Sequence, residues 1–258
     1  MLKVRIIPTL LWKQFGLVKG IGFDSWRRVG PVLPAIMVYN QREVDELILV
    51  DIIACDGEEE LDIESISDFG GACFVPFTVG GGITNVEQVQ QLLNSGADKV
   101  CINTAAYQNP DIINEIAKRH GTQCVVSSID VRKKTGLKQW ACFSHAGKIK
   151  SNYEVYEWAK KMADSGAGEI LITSIDRDGT MDGYDLDLIE AVVEAVDIPV
   201  IASGGAGNYQ HMVDAVLKSG ASAVAAASMF HFTEQTPAGA KEYLSAAGLP
   251  VRLPFISG

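Results

Sequence analysis

Eight short runs rich in β-branched residues alternate with amphipathic segments along the chain: 4–11 (VRIIPTLL), 46–52 (ELILVDI), 73–79 (CFVPFTV), 99–103 (KVCIN), 124–130 (CVVSSID), 169–175 (EILITSI), 198–203 (IPVIAS) and 223–228 (AVAAAS). Such runs are too apolar to keep one face wet, so they predict a parallel sheet covered by helices. Helical periodicity fills gaps at 86–96, 153–166 and 209–220, each closing on a glycine stop. Eight such units predict an α/β fold, a closed (β/α)8 TIM barrel.

An internal repeat points the same way. Residues 78–106 align with 201–230 at an offset of 123 rising to 124, matching paired glycines, a helix and an SGA corner; 45–52 answers 168–175 at the same offset. The expected fold is therefore a barrel with half-barrel duplication, the halves being approximately 1–120 and 121–258. At ~150 residues per domain the length suggests two domains, but α/β barrels commonly use ~250 as one. No Pro/Gly/Ser-rich linker divides the chain, so residues 1–258 are read as one domain.

Composition narrows the function. Twenty-two Lys and Arg against 32 Asp and Glu give a net charge of −10, which argues against nucleic acid and anionic membranes as partners. No run approaches the ~18 apolar residues of a membrane span. The stretch Ile6–Trp12 is short, follows Arg5 directly and lacks a cleavage site, so a cytoplasmic protein is expected. Cys55, Cys73, Cys101, Cys124 and Cys142 form no CxxC pair and read as reduced thiols. His120, His145, His211 and His231 lack HExxH spacing, so no metal site and no cofactor are expected.

In such barrels ligands sit at the C-terminal strand ends. Gly80-Gly81-Gly82 follows the third run and Gly204-Gly205 the seventh, each opening a helix. Glycine lets backbone N–H groups approach an anion where the helix dipole adds attraction. With Asn103 and Thr104 after the fourth run and Ser228 after the eighth, Gly81, Gly82, Gly204 and Gly205 make two candidate phosphate sites. Tight turns alone would explain a single glycine pair. Two in symmetric places predict an elongated bisphosphorylated ligand, or one live site and one relic.

Several segments carry a family likeness: RIIP (5–8), FTVGGGI (77–83), GADKVCINTAA (96–106), GAGEILITSIDRDGTMDGYD (166–185), IPVIASGGAG (198–207) and FHF (230–232). Over essentially its full length the chain resembles the cyclase subunit of imidazole glycerol phosphate synthase. The resemblance implies a heterodimer with a glutaminase subunit docked under the barrel. It also implies ammonia passing along the axis to attack a bisphosphorylated ribulosyl-formimino substrate at the top. Proton transfers about the closing imidazole ring suit a pair of carboxylates. The family's acid at the end of strand 5 corresponds to Asp130, whereas its acid at the end of strand 1 is replaced by Leu11, which internal symmetry also pairs with Asp130. Asp24, in the following loop, cannot replace a side chain at the strand end.

Other matching residues are kept. Arg5, Glu46, Lys99 and Glu169 open strands 1, 2, 4 and 6 and match the family's ammonia gate; by period-2 parity Arg5 faces inward if position 11 does. Asp98 and Gln123 match positions near the glutaminase. Asp178, in SIDRDGT, matches an acid directed at the ligand, with a turn role as the alternative for it and Asp176. Lys19 matches a mobile-loop lysine over the mouth, with an ordinary surface lysine as the alternative. Trp140 and His145, in a short hairpin after the fifth run, receive no role.

Leu10-Leu11 and the passage VGPVLPAIMVYNQREVDELILVDI (29–52) resemble a divergent branch of cyclase-like proteins encoded with surface-polysaccharide genes. That resemblance implies ammonia supplied to a separate sugar amidotransferase that makes acetamidino sugars. The alternatives are a histidine-pathway cyclase, a lyase, that tolerates Leu11; the related sugar-phosphate isomerase; and a scaffold without turnover.

Overall fold

The computed structural model describes residues 2–13, 16–54 and 61–253; Cys55 lies outside them. The strands are β1 (Arg5–Lys13), β2 (Gly16–Ile21), β3 (Asp24–Gly30), β4 (Leu47–Asp51), β5 (Phe77–Gly80), β6 (Lys99–Ile102), β7 (Val125–Lys133), β8 (Trp140–Ser144), β9 (Ile149–Glu154), β10 (Glu169–Ser174), β11 (Val200–Ser203) and β12 (Ala223–Ala226). The helices are α1 (Val32–Gln41), α2 (Ile63–Ala72), α3 (Val86–Asn94), α4 (Thr104–Gln108), α5 (Asp111–His120), α6 (Val155–Asp164), α7 (Leu186–Val193), α8 (Tyr209–Leu217), α9 (Ser228–Phe232) and α10 (Pro237–Ala246).

Eight strands, β1, β4, β5, β6, β7, β10, β11 and β12, pair in parallel in that order, and β12 pairs with β1 to close a (β/α)8 TIM barrel. Each of the eight predicted runs supplies one of them. The third run starts later than expected: Cys73 is the C-cap of α2, its N–H donating to Gly70 O, and pairing begins at Phe77, just past Pro76. Two antiparallel extensions leave the barrel rim. β2 and β3 continue from β1, and β8 and β9 from β7.

The strands alternate between two environments. Outward residues pack with the helices in one large core, whereas Ile7, Ile48, Cys101, Val126, Leu171, Ile201, Ala223 and Ala225 form a separate apolar layer inside the barrel. The paired glycines serve close approach: a Cβ on Gly81, at φ +104°, would stand 2.0 Å from Asp51 O. Among the described residues no helix is long and apolar enough to cross a membrane.

A buried cluster fastens the C-terminal helix to the strand starts. Lys241 on α10 is wholly buried, with Nζ 2.7 Å from Asp45 Oδ1 and donating to Glu43 O at 2.6 Å. Asp45 also accepts from Ile6 N–H at 2.9 Å and Arg252 Nε at 3.2 Å. Removing one partner leaves the other carrying its desolvation cost. Lys241→Ala is therefore expected to lower unfolding free energy by ~3–5 kcal/mol, read from denaturant midpoints. A loss under ~0.5 kcal/mol would show that Asp45 needs no buried cation.

Candidate functional site

At the C-terminal ends of the barrel strands lies a cavity of about 680 Å³. It brings together the residues singled out for the upper face: Leu11, Lys19, Gly81, Gly82, Asn103, Thr104, Asp130, Asp178, Gly204, Gly205 and Ser228 all line it. Gly81, Gly82, Gly204 and Gly205 all have positive φ, and a Cβ on them would meet Asp51, Ala54, Ser174 and Gly183 respectively, so these turns run close against neighbouring chain.

Asp130, on β7, is buried, and its Oδ2 accepts from Asn103 Nδ2 at 2.7 Å. Burial pushes its carboxyl up to about 7; hydrogen bonds from Asn103 and Thr173 oppose that shift and the Asp178 charge adds to it. The facing wall is different. β1 stands four places from β7 in either direction round the ring, and Leu11 sits there between Val18 and Val50. Among the described cavity-lining residues the carboxylates are Asp130 and Asp178 alone.

Asp178 is engaged. Lys19 Nζ donates to its two oxygens at 2.9 and 3.2 Å, and Lys19 is only 4% exposed. Lys19 is thus not an ordinary surface lysine; it lines the cavity paired with Asp178. It is a β2 residue whose cost of burial is met by a carboxylate. The same hairpin is held by Gly22 N–H on Asp178 O at 2.9 Å and by the Arg27 guanidinium over the Phe232 ring at 3.8 Å. Asp176 stands in the turn after β10, and its side chain accepts from Arg132 Nη1 and Lys133 N–H on β7.

The further lining residues not singled out as site residues from the sequence include Lys13, Phe23, Trp26, His145, Ala146 and Lys148. His145, given no role above, donates its N–H to Thr104 Oγ1 at 3.0 Å. Phe23, His145 and Ala146 adopt positive φ at or beside glycine-bearing hairpin turns. Gly22 and Gly147 were the available signal for those turns.

At the opposite end of the lumen the four predicted charges meet. Arg5 reaches Glu46 at 2.7 Å and Glu169 at 2.9 Å; Lys99 reaches Glu46 at 3.0 Å and Glu169 at 3.1 Å. Each cation thus touches both anions, closing a ring, and Thr78 Oγ1 donates to Glu46 at 2.8 Å. Burial would lower the Arg5 pKa, but the two carboxylates outweigh it and raise the pKa. Asp98 lies just before β6 and accepts from Phe77 N–H at 2.8 Å; Gln123, exposed just before β7, donates to His120 O at 3.2 Å. Between ring and cavity lies the apolar layer, of which Cys101, Leu171 and Ala225 reach the cavity.

Among the described residues no group of three or more His, Cys, Asp or Glu is placed to hold a metal ion. The family described as "Histidine biosynthesis protein" matches residues 5–236, a span containing every site residue named above.

The Asp130 shift has a stability consequence. Its folded value of about 7 lies above the ordinary 3.8, so its contribution is fully present below pH ~4 and lost as pH rises through ~7. Asp130→Asn removes that dependence. The variant is expected to gain stability relative to the native protein between pH 5 and pH 8, measured as the difference in urea midpoints. A difference independent of pH would mean that Asp130 ionises without penalty.

Proposed function

Because the chain belongs to the histidine biosynthesis protein family, we propose that it is the barrel subunit of a glutamine-dependent amidotransferase. A glutaminase subunit docks on the lower face near Asp98 and Gln123, forming a heterodimer. Ammonia then passes the ring of Arg5, Glu46, Lys99 and Glu169 and crosses the apolar layer to the upper cavity. A separate sugar amidotransferase takes it up for acetamidino-sugar synthesis, the route by which such nitrogen enters surface glycans.

One observation carries this reading: the charge ring is complete while the wall facing Asp130 holds Leu11. A ring needed for stability alone would be served more simply by packed apolar residues. Neutral ammonia, unlike ammonium, crosses an apolar layer without shedding a charge's hydration. The glycine turns with Asn103, Thr104 and Ser228 suit a phosphorylated small-molecule ligand.

A second reading, the histidine-pathway cyclase, draws support from Asp130. A carboxyl pushed to about 7 is matched to general acid–base work at neutral pH. Ammonium salt plus the pathway's bisphosphate substrate separates the two readings. Leu11 has no titratable group, so turnover by the barrel alone is expected at least ~100-fold below that of an enzyme with both acids. Ordinary cyclase rates would establish the second reading. Leu11→Asp is expected to restore activity, and Asp130→Asn in that background to remove it.

The conduit has its own test. With partner and acceptor present, product nitrogen is traced from labelled glutamine against unlabelled external ammonium. Glutamine nitrogen is expected to dominate; full equilibration with bulk ammonium would leave no conduit. Lys99→Ala sets two carboxylates against one arginine and is expected to reduce transfer efficiency more than glutaminase binding.

A further inference from the structure

The turn after β11 is fastened on its outer side. Gly205 O accepts from Gly183 N–H at 2.8 Å. Because a trans peptide points its C=O and N–H in opposite directions, the Ala206 N–H turns away from Gly183. Ala206 and Gly205 both line the cavity. One residue on, both polar groups of Gly207 are held by side chains: its N–H donates to His211 Nδ1 at 3.2 Å, and its C=O accepts from Gln235 Nε2 at 2.7 Å. Gly207 also lies against the chain, since a Cβ there would stand 1.9 Å from Met181 O.

The turn after β5 shows the same device with another side chain. Thr84 N–H donates to Gln88 Oε1 at 2.8 Å. In each case an asparagine caps the helix, Asn85 taking Gln88 N–H and Asn208 taking His211 N–H, and the residue three beyond the cap reaches back. This is a capping box displaced by one residue: the returned acceptor holds the glycine turn rather than the cap itself. A neutral imidazole accepts at one nitrogen only. The Gly207 hydrogen, fixed by the backbone, takes Nδ1, which is therefore the accepting nitrogen of the ring.

We infer that His211 and Gln235 are positioning residues for an anion of the phosphate class held by the Gly204–Ala206 turn. The inference rests on reading the two glycine turns as anion sites. Fixing the Gly207 peptide groups in advance removes ordering cost at the moment of binding. Neither residue touches the anion.

The test is a titration of the full ¹⁵N-labelled chain with inorganic phosphate, following the Gly205 and Gly82 amide resonances separately. His211→Leu and Gln235→Leu are each expected to raise the half-saturating phosphate concentration at Gly205 by about 3- to 10-fold, leaving Gly82 unchanged. His211→Gln supplies the acceptor that Gln88 supplies at Thr84 and is expected to restore native affinity. In the native protein the His211 ¹⁵N shifts should show Nδ1 unprotonated and accepting. Equal loss at both glycines, no loss at Gly205, failure of the Gln rescue or a protonated Nδ1 would each overturn the positioning role. If neither amide responds to phosphate in the native chain, the anion reading of both turns falls and this inference with it; a native response with unaltered Leu variants removes the inference alone.

Discussion

Closure of the parallel sheet governs everything else in this molecule. Once β10 pairs with β7 and β12 with β1, no edge remains among the eight barrel strands, and alternate residues of each enter one enclosed lumen. A period of two then converts each strand into a vertical series. β1 stacks Arg5, Ile7, Thr9 and Leu11; β6 with its following residue stacks Lys99, Cys101 and Asn103; β10 stacks Glu169, Leu171 and Thr173. The lumen is therefore layered: charge at one end, hydrocarbon in the middle, polar groups at the other. Charges near so much hydrocarbon persist because each of the four has two opposite partners.

This layering was legible in the sequence because it depends only on run positions and parity. Arg5 and position 11 share a strand face whatever the exact strand ends, and the same holds for Lys99 and Asn103. The glycine pairs were legible for a similar reason, since a turn that tolerates no Cβ must be written as glycine. The late start of β5 was not, because Cys73 and Val75 suit a strand as well as a helix exit. The β2–β3 hairpin was not legible as a wall of the site because β2, GLVKGI, is short and interrupted by glycine, and β3, DSWRRVG, is polar. Burial of Lys19 depends on Asp178, 159 residues away, and no local pattern in Val18-Lys19-Gly20 distinguishes a paired lysine from a solvated one.

The Lys19–Asp178 pair changes the electrostatics of the mouth. With Asp178 paired to Lys19, Asp130 is the carboxyl there without a cation in hydrogen-bond contact among the described residues; its oxygens meet the neutral Asn103 and Thr173 instead. Neutral donors soften burial but do not cancel it, so the carboxyl rises to about 7 rather than falling below its ordinary range.

Leu11 decides what such a group can accomplish. It belongs to an apolar sector of the mouth with Val50, Ile52 and Ile53, facing a polar sector of Asn103, Ser128, Asp130 and Thr173. Ring closure between two phosphorylated arms requires a proton to be given on one face while another is taken from the opposite face, which two opposed acids can serve and one cannot. Handling a single proton is a smaller demand. On the proposed reading, Asp130 without an opposing acid suits a barrel that passes ammonia on for use elsewhere better than one that builds an imidazole itself.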